Sequence, residues 1–228
     1  MSADLKPEMI LAIDTATTRV VVALGTGEGS VARSTSWEAG YRHGETLLPA
    51  IERILGQEGV ARSVLAGIVV GTGPGAFTGL RVGLATAKGL AHGLGIPLVG
   101  LSTAEALLSA DGAPGAVLLL PAGPSDRILV RPGEEPSLLR GGIEPELRDG
   151  ESLVAVDLVD RAPPDALTRG EAARAGLGAA LLRSGVPRLS SALTQGTVGL
   201  AALVPEYITL PRGARAGSGT VAWSRDLR

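Results

Sequence analysis

A chain of 228 residues with a 45% apolar share is long enough to bury a substantial core, as one large domain or two small ones. It has no cysteine, which excludes disulfides, thiolate nucleophiles and cysteine-containing zinc sites, and its two histidines, His43 and His92, are too few and too far apart for a HExxH centre. A net charge of −2 and an aromatic share of 2% offer neither the field nor the stacking platforms of a direct nucleic-acid binder.

No apolar run approaches the roughly 20 residues of a membrane span, and the stretch from Met1 to Glu8 lacks a signal-peptide apolar region. The expectation is a cytoplasmic protein without membrane contact.

Met9 to Ile13 is an apolar run that ends at Asp14, and Thr15-Ala16-Thr17-Thr18 turns the chain before Arg19 to Leu24 returns. This predicts a β-hairpin with an acidic, hydroxyl-rich tip. Ser30 to Trp37 alternates as a third, more exposed strand. Leu47, Leu48, Ile51, Ile54 and Leu55 then recur at helical spacing, with Pro49 in the early turns and Gly56 as a stop. Ile68 to Val70 is a short β-branched run, followed by Gly71-Thr72-Gly73-Pro74-Gly75 and a small-residue helix to Leu94. Ile96 to Leu101 predicts a fifth strand, and Thr103 is placed to cap a short helix through Leu108. The predicted order is β-β-β-α-β-α-β-α.

After Asp111-Gly112-Ala113-Pro114-Gly115 the theme restarts: Val117 to Leu120, a turn, then Arg127 to Val130 returning. A weak internal duplication follows. Residues 131–150 predict an irregular connection, Leu153 to Val156 a strand, Leu167 to Ser184 and Thr194 to Leu203 two helices, and Tyr207 to Leu210 a short terminal strand. The expected organisation is an N-terminal lobe over 1–112, a C-terminal lobe over 113–210 and a flexible tail over 211–228.

The glycine loop fits a loose dinucleotide pattern, but no acidic residue ends the next strand to hold a ribose, and no Gly-Lys-Ser/Thr follows to make a Walker loop. His43-Gly44-Glu45 matches half of a zinc-deaminase signature whose other half needs cysteines. Asp14 at the hairpin tip suits a carboxylate that orients hydrated magnesium, with Thr15 and Thr17 near phosphates; the competing role is a turn-bonding Asp. Glycine inside a helix costs about 1 kcal/mol against alanine, so Gly79, Gly83 and Gly89 call for a packing reason; Gly79 and Gly83 lie four apart on one face with Ala87 continuing the row, where a close packing partner is expected.

Ile-Leu-Ala-Ile-Asp-Thr-Ala-Thr at 10–17, His-Gly-Glu-Thr-Leu-Leu-Pro at 43–49, Gly-Thr-Gly-Pro-Gly-Ala-Phe-Thr-Gly-Leu-Arg-Val-Gly at 71–83 and Gly-Leu-Ser-Thr at 100–103 resemble the TsaB family, formerly called YeaZ, throughout residues 9–110. The resemblance implies a two-lobed α/β fold of the actin, hexokinase and Hsp70 kind, a duplicated ribonuclease-H-like unit with the second lobe reduced. It implies a role in threonylcarbamoyl modification of tRNA adenosine as a non-catalytic partner of the related TsaD, with the ATPase TsaE joining the pair. Relatives are also classed as peptidase M22-like, but the chain carries no nucleophile or metal set for a peptidase.

The same resemblance implies pairing through the first-lobe helices, with TsaD or, when alone, as a homodimer. Leu47, Ile51, Gly79, Gly83, Ala87 and Leu90 are then the expected interface, and tRNA is met only through the complex. No catalytic or metal-binding residue is expected, and no cofactor, the one opening for Mg-ATP or ADP being a subunit interface. Asp14, Thr15 and Thr17 stand as a nucleotide-binding remnant. The alternative function is a sugar- or acid-kinase-like phosphotransferase using Asp14. The second-lobe hairpin Pro121 to Val130 departs from the family pattern Asp-Ala-Arg followed by Gly-Glu-Val-Tyr, losing an acid and an aromatic.

Overall fold

The computed structural model describes residues 8–40, 42–195 and 203–207. A first sheet of five strands has the order β3-β2-β1-β4-β5, built from β1 (Met9–Asp14), β2 (Arg19–Thr26), β3 (Val31–Glu38), β4 (Leu65–Gly71) and β5 (Leu98–Leu101). β1 pairs antiparallel with β2 and parallel with β4. Being central, β1 is buried along its whole length, which is why it reads as a continuous apolar run, whereas the edge strand β3 is largely exposed.

The two faces of this sheet have different covers. Leu11, Ile13, Val22, Ile68 and Val70 face α1 (His43–Gln57) and α2 (Phe77–Leu94). Ile10, Ala12, Val21 and Val69 face the other way, toward α3 (Thr103–Asp111) and α4 (Pro164–Gln195). The alternation follows from the period of two along a strand.

The second sheet has the order β8-β7-β6-β9, from β6 (Ala116–Pro121), β7 (Arg127–Val130), β8 (Ser137–Leu139) and β9 (Ser152–Ala155). β6 pairs antiparallel with β7 and parallel with β9, repeating the β2-β1-β4 arrangement of the first sheet. The expected duplicated α/β architecture is therefore present. In the repeat, residues 140–151 carry no helix where α1 stands in the first half.

Three local expectations are corrected. Residues 131–150 are not wholly irregular, because β8 forms there on the edge of β7. Thr103 is not a cap: Ser102 occupies the N-cap of α3 and accepts from Glu105 N, which frees the Thr103 hydroxyl for another partner. The helix expected to stop at Ser184 continues through Gly185 and Pro187 to Gln195.

Packing explains that continuation. A β-carbon on Gly178 would press on Ala23, one on Gly185 would collide with Val69, and one on Gly170 would collide with the Ala155 carbonyl. These glycines let α4 lie close on both sheets, and the buried contacts outweigh their unfavourable helix propensity. The helix expected over 194–203 and the strand over 207–210 fall mostly outside the described residues, as does the expected tail over 211–228.

Candidate functional site

The hairpin tip between β1 and β2, the glycine loop after β4 and the start of α3 meet at one point. Asp14 lies there, fully buried. Its Oδ1 accepts from the Ala16 N–H at 2.9 Å and its Oδ2 from the Thr103 hydroxyl at 2.6 Å. Thr103 also accepts from Gly73 N at 3.1 Å and donates its own N–H to the Gly73 carbonyl at 2.7 Å. A β-carbon on Gly71 would collide with the Asp14 carboxylate, so the glycine permits the loop to close over the acid.

Burial pushes the Asp14 carboxyl up to about 6, against the bonds from Thr103 and Ala16 that favour its ionised form, with the Asp157 charge nearby adding to the rise. The group is thus a turn-holding acid sealed beneath the loop. Thr15 and Thr17 are committed likewise: the Thr15 hydroxyl donates to the Gly79 carbonyl at 2.7 Å, and the Thr17 hydroxyl to the Arg19 carbonyl at 2.8 Å. The three side chains expected as a nucleotide-binding remnant therefore all bond within the fold.

The expected interface residues are also placed differently. A β-carbon on Gly79 would collide with the Thr15 carbonyl, and one on Gly83 with the Thr15 hydroxyl. The close partner these glycines require is this chain's own hairpin tip. Ala87, Leu47 and Ile51 are buried in the core between α1, α2 and the sheet. Leu90 is half-buried at its margin. A buried side chain already in contact on all sides has no surface to offer a second protein, and the row is an internal seat rather than a docking strip.

The exposed sides of the same helices carry other residues. On α2 these include Thr78, Arg81, Ala85, Gly89 and Gly93, spaced by three or four; on α1, Leu48 and Pro49 are exposed. Nothing lies within 4 Å of where a β-carbon would stand on Gly89 or Gly93. The open, thin strip of α2 is thus on the side opposite Gly79 and Gly83.

A cleft of about 720 Å³ separates the hairpin tip and glycine loop from the β6–β7 turn, with Ala16, Thr18, Pro74, Phe77, Pro124 and Tyr207 among its walls. Tyr207 closes one wall, at the end of the segment 203–207. Glu206 N donates to the Thr72 carbonyl at 2.7 Å, and its carboxylate accepts from the Thr72 hydroxyl. Tyr207 stacks on Phe77 at 5.0 Å between ring centres, and Arg81 lies 3.8 Å over the Phe77 ring while donating to the Tyr207 oxygen at 3.0 Å.

Sequence reasoning missed Asp157. It stands just past β9 with a left-handed φ of +59°, and its carboxylate accepts from Thr18 N and Thr18 Oγ1, each at 2.7 Å, and from Arg174 at 2.6 Å. The signal was present: Leu-Val-Ala-Val-Asp at 153–157 repeats the pattern of Leu-Ala-Ile-Asp at 11–14, an apolar strand ending in an acid.

A model of the TsaD family, tRNA N6-adenosine threonylcarbamoyltransferase, matches residues 37–139. The chain is 41% identical over 95 residues to the tRNA threonylcarbamoyladenosine biosynthesis protein TsaB of Escherichia coli, covering 41% of this chain and 40% of that protein. It is 35% identical over 102 residues to the TsaB of Haemophilus influenzae, covering 44% and 42%. The chain thus covers less than half of the length of each of these relatives. The fold matches YeaZ from Pseudomonas aeruginosa with a TM-score of 0.64 at 24% identity, over 88% of this chain and 100% of that one. Among the described residues no helix is long and apolar enough to cross a membrane. The first half of the chain is thus similar to curated TsaB proteins, and its two-sheet fold is that of YeaZ.

Proposed function

We propose that this chain is a non-catalytic accessory subunit in threonylcarbamoyl modification of tRNA adenosine, pairing with a TsaD-type transferase. The observation that carries the proposal is the 41% identity of its first lobe to a curated TsaB. The enclosed Asp14 supports the non-catalytic part, because the one carboxylate at the hairpin tip is bonded to Ala16 and Thr103 rather than presented to the cleft.

The docking surface in this proposal is the exposed side of α1 and α2, around Leu48, Thr78, Ala85 and Gly89. Exposed apolar area there stabilises a complex by about 25 cal/mol per Å² buried, less the cost of association. The open space over Gly89 and Gly93 allows a partner helix to approach closely. TsaE joins the pair, the chain forms a homodimer when TsaD is absent, and tRNA is met only through the complex.

Reconstitution tests this directly. Threonylcarbamoyl adenosine is measured in tRNA incubated with the chain alone, with cognate TsaD and TsaE alone, and with all three. Product is expected only from the full set. Product from the chain alone would overturn the non-catalytic role, and full activity without the chain would overturn the accessory role.

A further inference from the structure

The hairpin tip that seats α2 is held from the second lobe. Three contacts tie the tip to α2: Ala76 N donates to the Ala16 carbonyl at 2.6 Å, Thr15 Oγ1 donates to the Gly79 carbonyl at 2.7 Å, and Gly83 packs where a side chain would meet Thr15. At the end of the same tip, Thr18 is bound through both its N–H and its hydroxyl by Asp157, 139 positions away. Arg174 on α4 completes the junction by donating to Asp157 at 2.6 Å and to the Thr18 hydroxyl at 3.3 Å.

Asp157 is in an unfavourable state by itself. Its left-handed backbone is disfavoured for most residues with a β-carbon, less so for Asp and Asn, and its side chain is only 7% exposed. A shielded carboxylate persists when it is paired and hydrogen-bonded, and here every partner belongs either to the opposite lobe or to the helix that lies on both sheets. The connection runs from α4 through Asp157 and Thr18 to the first turns of α2.

We propose that Asp157 is a positioning residue through which the second lobe sets the placement of α2, and with it the exposed strip Thr78, Ala85 and Gly89. The inference rests on the reading that this side of α2 meets the partner. On this view the second lobe fixes the angle at which the first lobe presents its docking helix.

The test compares full-length variants in their affinity for cognate TsaD and in their amide hydrogen exchange. Asp157→Gly accepts the left-handed backbone and removes the carboxylate. It is expected to weaken pairing about tenfold and to speed exchange of amides 15–18 and 76–80. Asp157→Asn, which retains an acceptor and tolerates the same backbone, is expected to restore most of the affinity. Leu153→Ala destabilises the second lobe without touching the junction, and is expected to lower the melting temperature while leaving affinity and α2 exchange unchanged. A purely structural role for Asp157 would make Asp157→Gly and Leu153→Ala behave alike, which overturns the proposal.

Should Asp157→Gly fail to fold, Thr18→Val removes the hydroxyl's bonds to Asp157 and Arg174 and keeps the backbone bond from Thr18 N to Asp157; an unchanged affinity and unchanged exchange at 76–80 would overturn the proposal. Ala85→Arg keeps the two claims apart. If it leaves pairing intact, the partner surface is misassigned, and exchange in the first turns of α2 alone then decides whether Asp157 positions the helix.

Discussion

The Thr15 hydroxyl fills the place where a β-carbon on Gly83 would stand, and it donates its proton to the carbonyl of Gly79 one turn earlier. Two glycines and one threonine therefore form a single internal joint between β1 and α2. The joint makes the consequences of substitution on α2 depend sharply on which side is altered.

Gly83→Ala is expected to destabilise the isolated chain by about 1–3 kcal/mol, the usual cost of forcing extra atoms into a filled site. Gly83→Leu is expected to prevent stable folding. Gly89→Ala, facing open space, is expected to stabilise the helix by up to about 1 kcal/mol through propensity alone. Thermal melting of the three variants checks the contrast; equal melting temperatures for Gly83→Ala and Gly89→Ala would contradict the joint.

Asp14 predicts an unusual pH response. Its folded value of about 6 lies above the unfolded value of 3.8, so the folded chain binds more protons between these limits. Its contribution to stability is fully present below pH 3.8 and is lost as pH rises through 6, a change of about 3 kcal/mol. Asp14→Asn is expected to remove this slope. Urea titrations of both proteins at intervals across the same pH window measure it, and parallel curves would refute the assignment.

Glu151 acts with the opposite sign. Arg131, bound to its carboxylate at 2.6 and 3.0 Å, and the Arg148 N–H at 2.9 Å hold its value down to about 2, against an ordinary 4.5. Its contribution is present above pH 4.5 and is lost as pH falls toward 2. Glu151→Gln is expected to unfold at a higher pH than the parent protein during acid titration followed by circular dichroism. Asp14→Asn serves as the comparison because its effect lies in the higher window; identical acid midpoints for Glu151→Gln and the parent would count against the pairing with Arg131.

Gly185→Val tests the unbroken α4. The new methyls would meet Val69 at the centre of the first sheet. A loss of about 1–3 kcal/mol is expected in denaturant unfolding, whereas Leu193→Ala, at a position 62% exposed, is expected to change stability by less than about 0.5 kcal/mol. Equal effects would show that the helix does not lie on the sheet at Gly185.

Much of the first lobe was legible because its signals are local. The run Met9 to Ile13 ending in Asp14, the return at Arg19 and the helical spacing of Leu47, Ile51 and Ile54 each report a structure completed by near neighbours in the chain. The continuous α4 was not legible, since Gly185 and Pro187 read as breakers and only contact with Val69 shows why a glycine is tolerated there. The cap of α3 was displaced by one residue for a similar reason: Thr103 is a competent cap, but its hydroxyl is claimed by Asp14.

By itself the sequence determined the α/β class, the succession of elements along the first half, the repeated hairpin and the requirement for something close against Gly79 and Gly83, because propensity and periodicity act over a few residues. Only the tertiary structure decided what that something is. The choice between a partner's helix and the chain's own Thr15 turns on contacts 64 residues apart, and so does the junction of Thr18 with Asp157 across 139. Residue spacing along the chain holds no information on which distant group fills a space; packing in three dimensions does.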